Sequence, residues 1–533
     1  MIKKILFICF LIACFQMKAQ VWQWRVEVDD YISNETNNNP QAFLWIPENC
    51  KQVKGIVFTQ HNMIEEGILE HKTFRKKMAK IGFAEVWVTP GFAITFDVFK
   101  NEDEIFRNMM KSLAEVSGYQ ELEYAPIVPM GHSAYASFPW NFAAFMPDRT
   151  LALVSVHGDA PQTHLTGSGR PNPDWGDRNI DGIPALFVMG EYEWWEDRIT
   201  PGFEYQKKHP KSVITWFADA GHGHFDYSDA LVNYIANYIE KAATHRLPKK
   251  TSLYNPEKLR QILPASGWLM DRWRQDSIPE YRAAKYKKYE GDRYSASWVF
   301  DKNMAKATEA YYAKARGKMN QYIGFRQNRE VLTPNKSHAN YHLDFKPLKD
   351  GITFNLNAFY ADSSRVKTVK RHSKTPLSID RICGPVKKIN DTTFQIDFYR
   401  MGFNNPKRSN DIWLLAHNNG DEEYKSVVQQ LDMHFPLVNT SGKEQFITFD
   451  SIKNVKKGVK TLRLNSTSNV GLKVNHYVKE GPVVLKENEL HFIEIPPKTK
   501  FPIKVTIVAW QYGIKDKIQS AKPVEQSFYI DIK

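Results

Sequence analysis

From residue 22 to about 247, short β-rich apolar runs alternate with segments whose apolar residues recur at helical spacing. No other feature constrains the fold as strongly. Residues 55–59, 83–88, 126–130, 151–156, 185–189 and 213–217 read as strands, and 65–81, 102–116, 137–145, 200–209 and 228–243 read as helices. The strands are apolar throughout rather than on alternate residues, which marks burial on both faces. The pattern therefore predicts an α/β fold with a mostly parallel sheet between two helical layers. Runs at 22–28 and 42–46 add an antiparallel edge.

After Leu247-Pro248-Lys249-Lys250 the alternation stops, closing a domain over 20–248. Residues 249–329 are aromatic-rich and read as a helical bridge, most clearly at 301–316. Beyond 330, strand-like runs are punctuated by turn signals such as Asn404-Asn405-Pro406 and Asn418-Asn419-Gly420. They predict two sandwich-like β domains, 330–430 and 431–533.

Met1-Ile2-Lys3-Lys4, an apolar run over 5–15, and Met17-Lys18-Ala19-Gln20 have the layout of a signal peptide spanning 1–19. The run is too short to span a bilayer. Leu11-Ile12-Ala13-Cys14 also resembles a lipobox, which would anchor the protein through Cys14. Phe15 is unlike the polar residues that usually follow a lipidated cysteine, so cleavage after Ala19 is favoured. The chain is read as exported, to the periplasm or beyond. Loss of Lys3, Lys4 and Lys18 takes the net charge from +13 to +10. A basic exported protein suits a polyanionic partner such as an acidic polysaccharide. No nucleic-acid recognition motif accompanies the charge, so nucleic acid is not an expected partner. Cys50 and Cys383 then remain, in different domains and without metal spacing, and read as two unpaired thiols.

Gly131-His132-Ser133-Ala134-Tyr135 follows the strand at 126–130 directly. A serine on a sharp strand-to-helix turn has its hydroxyl lifted above a parallel sheet, and Gly131 relieves crowding where strand and helix meet. The helix start aims backbone N–H groups, that of Ala134 included, at a developing oxyanion. Such a serine needs a base, an orienting acid and a second oxyanion donor, all at the carboxyl ends of strands. Gly190-Glu191-Tyr192-Glu193 follows the strand at 185–189 and supplies Glu193 as the acid, with Glu191, Glu196 and Asp197 as local competitors. Ala220-Gly221-His222-Gly223-His224 follows the last strand. His222 fits the base best and His224 is the alternative. The second oxyanion donor falls on the backbone of Asn62 or Met63, with His61 beside them as a substrate contact. Trp194, Trp195 and Arg198 lie on a loop where tryptophans stack on sugar rings and arginines bind carboxylates, and Arg170, Trp175 and Arg178 lie on a second such loop. His222 and His224 lack the helical spacing of a zinc motif, and 177–182 fails as a calcium loop because Val188 holds the twelfth position. Neither a metal nor a cofactor is expected.

Ser133, Glu193 and His222 occur in the chain order of α/β-hydrolases, and the chain resembles a secreted bacterial carbohydrate esterase of that superfamily over 22–247. The catalytic domain followed by β domains also resembles the pectin methylesterases of this fold. The resemblance implies a serine ester hydrolase cleaving ester groups of a polysaccharide, methyl esters of pectin first, through an acyl-enzyme. An acetyl esterase, a peptidase or other acyl hydrolase, or a non-catalytic glycan-binding protein remain alternatives. Tyr135 departs from the pattern, standing where the usual elbow has a second glycine. Either the turn opens or the ring points into the pocket.

Overall fold

A computed structural model describes residues 21–163 and 171–532, so the signal segment, Cys14 and Arg170 lie outside the described residues. The N-terminal part is built on eight strands: β1 (Trp24–Glu27), β2 (Gln41–Trp45), β3 (Gly55–Gln60), β4 (Phe83–Thr89), β5 (Ile127–His132), β6 (Leu153–Val156), β7 (Pro184–Gly190) and β8 (Val213–Asp219). They form one sheet in the order β1-β2-β4-β3-β5-β6-β7-β8. The β1–β2 and β2–β4 pairs are antiparallel and the others parallel. This is the α/β-hydrolase-type sheet expected, with its antiparallel edge.

Every residue of β3 to β8 is buried, which explains the unbroken apolar runs. Alternate residues serve opposite cores: Val57 and Val128 face one layer, Ile56, Phe58 and Ile127 the other. The first layer holds α1 (Glu65–Leu69), α2 (Lys72–Ile81) and, from further along the chain, a helix over Asp229–Arg246. The second holds α3 (Glu102–Ser117), α4 (Phe138–Phe145) and α5 (Glu196–Lys208). The helix expected over 65–81 is broken at His71, whose backbone is extended (φ −67°, ψ 128°) and whose Nδ1 accepts from the N–H of Thr73. A side chain that caps a new helix ends the old one.

The stretch 249–329 is mainly irregular rather than helical. Trp268–Met270, Ala284–Lys285 and Ser297–Val299 make a small antiparallel sheet, and only Lys302–Ala313 is an α-helix. Its aromatic residues are spent covering the open edge at β8. The N–H of Trp216 donates to Ser297 Oγ (2.9 Å) and the hydroxyl of Thr215 donates to the carbonyl of Trp298 (2.5 Å). An edge strand sealed in this way offers no free ladder for another chain.

From Tyr322 onward the structure is mostly antiparallel β, with Val455–Lys456 pairing parallel to Val524–Asp531. One core gathers Phe325, Tyr341, Phe354, Phe394, Ile412 and Leu431, and a second gathers Leu490, Val505, Ile507 and Phe528. The first β unit docks against the N-terminal part. Ile382, Cys383 and Leu415 join the N-terminal core, and Arg381 and Arg400 both reach the buried Glu66. Cys50 and Cys383 are buried free thiols.

Candidate active site

Ser133 caps β5 with φ +53°, a left-handed backbone that costs a side-chain-bearing residue about 1–2 kcal/mol. Docking of strand and helix holds it there. A Cβ at Gly131 would lie 2.0 Å from the carbonyl oxygen of Tyr135, so only glycine admits the turn. The departure at Tyr135 is resolved sideways: its ring is buried against Gly91, away from the cavity, and the turn stays tight.

The hydroxyl of Ser133 lies 2.8 Å from Nε2 of His224, and Nδ1 of His224 donates to Oε2 of Glu193. His222, the first choice from sequence for the base, does not reach the serine. Its Nδ1 is held by Asp226, and Asp219 stands beside it. Burial works against a charge on His222, but the carboxylates of Asp219 and Asp226 prevail and raise its pKa to about 9. Burial pushes His224 the other way, below the ordinary histidine value, and the pull of Glu193 does not reverse this. A neutral imidazole whose free nitrogen faces a hydroxyl can accept its proton.

Glu193 serves two imidazoles. Its Oε1 lies 2.5 Å from Nδ1 of His157, a fully buried residue at the end of β6 that the sequence reading left unassigned. Burial tends to raise the Glu193 carboxyl, but His157 and His224 together hold it well below the usual carboxylate range. Burial opposes a charge on His157 as well, yet the Glu193 carboxylate raises its pKa. His132 steadies the base from behind. Its Nε2 donates to the carbonyl of His224 (2.8 Å), and its Nδ1 accepts from the Asn62 amide (3.2 Å). The competing acids have other partners: Glu191 pairs with the buried Lys425, Glu196 with Arg272, and Asp197 accepts from the Trp195 indole.

The oxyanion loop differs from expectation. The N–H groups of Asn62 and Met63 point to Oε2 of Glu65 (3.1 and 2.8 Å), while Oε1 accepts from the N–H of His132 (3.0 Å). Neither Asn62 nor Met63 offers its backbone donor to the cavity in this arrangement. Ala134 stands at the start of the turn, half-buried beside Ser133. His61 lines the cavity with Nδ1 on the Thr89 hydroxyl (3.0 Å), and burial holds its pKa well below the ordinary value.

A cavity of about 390 Å³ opens over Ser133 and His224. Trp194, Trp195 and Arg198 do not line it. Trp194 packs on Trp273 (ring centroids 4.5 Å apart), Trp195 is exposed, and Arg198 lies behind the acid, 3.5 Å from Glu193. Of the other loop, Trp175 is buried in the core beneath and Arg178 stacks on Phe145. The roof comes instead from the first β unit, through His338, Tyr399, Arg408 and Trp413. Arg408 ties it down by donating to the carbonyl of Asn62 (2.7 Å) and to Glu35 (2.9 Å). Among the described residues, two groups bring potential ligand atoms within 4.8 Å of one another, His157/Glu193/His224 and Asp219/His222/Asp226. In both, hydrogen bonds already join imidazoles to carboxylates.

No protein-family model and no curated protein sequence matches the chain. Solved structures with some likeness include an S-formylglutathione hydrolase from Staphylococcus aureus (11% identity, TM-score 0.29), covering 41% of this chain and 97% of that one. Est1E from Butyrivibrio proteoclasticus shows 13% identity and a TM-score of 0.27, over 39% and 95%. A truncated carbohydrate esterase from gut microbiota shows 11% identity and a TM-score of 0.30, over 42% and 98%.

Proposed function

We propose that this protein is a serine ester hydrolase acting on ester groups of a polysaccharide, methyl esters of pectin above all, and that its N-terminal leader directs it out of the cytoplasm. The observation that carries the reading is the hydrogen-bonded series Ser133–His224–Glu193 on a left-handed serine at the carboxyl end of a parallel sheet. In this mechanism Ser133 Oγ attacks the ester carbonyl as His224 Nε2 takes its proton, and Glu193 steadies the imidazolium. The N–H of Ala134 faces the developing oxyanion. Collapse expels the alcohol, protonated by His224, and leaves an acyl-serine. Water, deprotonated by His224, then releases the acid. With a pectin methyl ester, methanol leaves first and the galacturonyl group is held on the serine.

The test is methanol release from highly methyl-esterified pectin and acetate release from acetylated pectin. Ser133→Ala and His224→Ala should each lower the rate by about 10⁴–10⁶-fold. His222→Ala should largely spare kcat while costing about 3–5 kcal/mol of stability, because it strands Asp219 and Asp226. Acetate alone would move the substrate to acetyl esters. Product release that survives Ser133→Ala would remove this serine from the mechanism.

A further inference from the structure

A large groove lies between the two β units, beside the Ser133 cavity. Its volume is about 1110 Å³, above the roughly 300–1,000 Å³ of a compact ligand site. Gly384 and Tyr399 line both spaces, so the groove adjoins the cavity over Ser133. One wall carries Lys387 and Lys388 on the strand Val386–Asn390, and the other carries Arg463, Lys473 and Lys486.

Charge along this groove is unevenly satisfied. Lys387 pairs with Asp397 (3.4 Å) and Lys388 with Asp391 (2.8 Å), which hold that wall in place. Arg463, Lys473 and Lys486 are exposed and have no carboxylate partner among the described residues. Three unpaired cations spaced along a long open channel match an extended chain with repeated negative charges better than a single small anion. Asp397, Glu487 and Glu489 also line the groove, with Glu489 across the strands from both Arg463 and Lys486, but lysine and arginine outnumber them, and such an excess of one sign concentrates a polyanion. At the junction, the half-buried Tyr399 ring carries the Arg381 guanidinium 4.9 Å from its centroid.

We propose that this groove is the binding cleft for an anionic polysaccharide, holding the carboxylates of sugar units flanking the one whose ester enters the cavity. The choice of a glycan over other polyanions rests on the esterase reading of Ser133. The cleft makes the final β unit part of the substrate site, a role distinct from the hydrolase loops.

The experiment uses the full chain and the triple variant Arg463→Glu/Lys473→Glu/Lys486→Glu, whose side chains are exposed and whose fold is checked by circular dichroism. Polygalacturonate, which has no ester to cleave, is titrated calorimetrically at low and high salt. p-Nitrophenyl acetate hydrolysis reports the cavity alone. The expected result is at least about tenfold weaker polygalacturonate binding and a raised KM on methyl-esterified pectin, with unchanged p-nitrophenyl acetate hydrolysis. Equal polygalacturonate affinity in both proteins would overturn the cleft while leaving the esterase reading intact. A single-stranded oligonucleotide bound as tightly as polygalacturonate, and lost in the same variant, would also overturn it as a glycan site. Variant-sensitive polygalacturonate binding without hydrolysis of either ester would uphold the cleft and remove the esterase.

Discussion

Glu193 joins two imidazoles that ask opposite things of it. In the proposed mechanism His224 must remain neutral to take the serine proton, while burial disfavours a charge on His157 but the same carboxylate favours its protonated form. The positive charge on His157 is one of the influences that lower His224. Replacing His157 with glutamine removes that charge while keeping an amide able to hydrogen-bond Glu193. The acid limb of kcat/KM on p-nitrophenyl acetate should then move to higher pH, since the base becomes easier to protonate. A stability change with an unmoved limb would make His157 purely a packing residue. This scale is also where the sequence reads best and fails most narrowly. Ser133 and Glu193 are legible because each follows a strand by a fixed turn. His222 and His224 sit on the same glycine-rich loop, and sequence cannot say which ring meets which carboxylate. Asp226, four residues on, captures His222, and Glu193, remote in sequence, captures His224.

At the level of elements, the β3–α1 connection is organised by one buried carboxylate. Glu65 accepts three backbone N–H bonds from two strand ends, and burial raises its pKa to about 7 despite them. Above 4.5 the unfolded chain would release this proton sooner than the folded one. This group therefore lowers stability as pH rises from about 4.5 to about 7. Glu65→Gln should flatten that slope in chemical denaturation. It should also cost about 1–3 kcal/mol, because the glutamine NH2 must face a backbone donor. The strands and the major helices were readable from periodicity. The break at His71 and the capture of the Asn62 and Met63 donors were not, because both depend on where one side chain turns.

Across the whole molecule, the cavity exists only where two folding units meet. Glu35 and Arg408 tie them, and although burial works to raise the Glu35 carboxyl, Arg408 lowers it from 4.5 to about 2. A group depressed in this way contributes stability above 4.5 that fades as pH falls toward 2. A double-mutant cycle with Glu35→Ala and Arg408→Ala should give a coupling of about 0.5–3 kcal/mol at pH 7 that shrinks below pH 4.5. No coupling at neutral pH would make the pair incidental to docking. Contacts between residues more than 300 positions apart left no trace in local pattern, which is why the roof went unread. Ser133 sits in the floor of the cavity, whereas Arg408, Tyr399 and Trp413 belong to its roof. Ser133 and the surface that faces it thus come from separate folding units, so the roof can be altered without moving Ser133, His224 or Glu193.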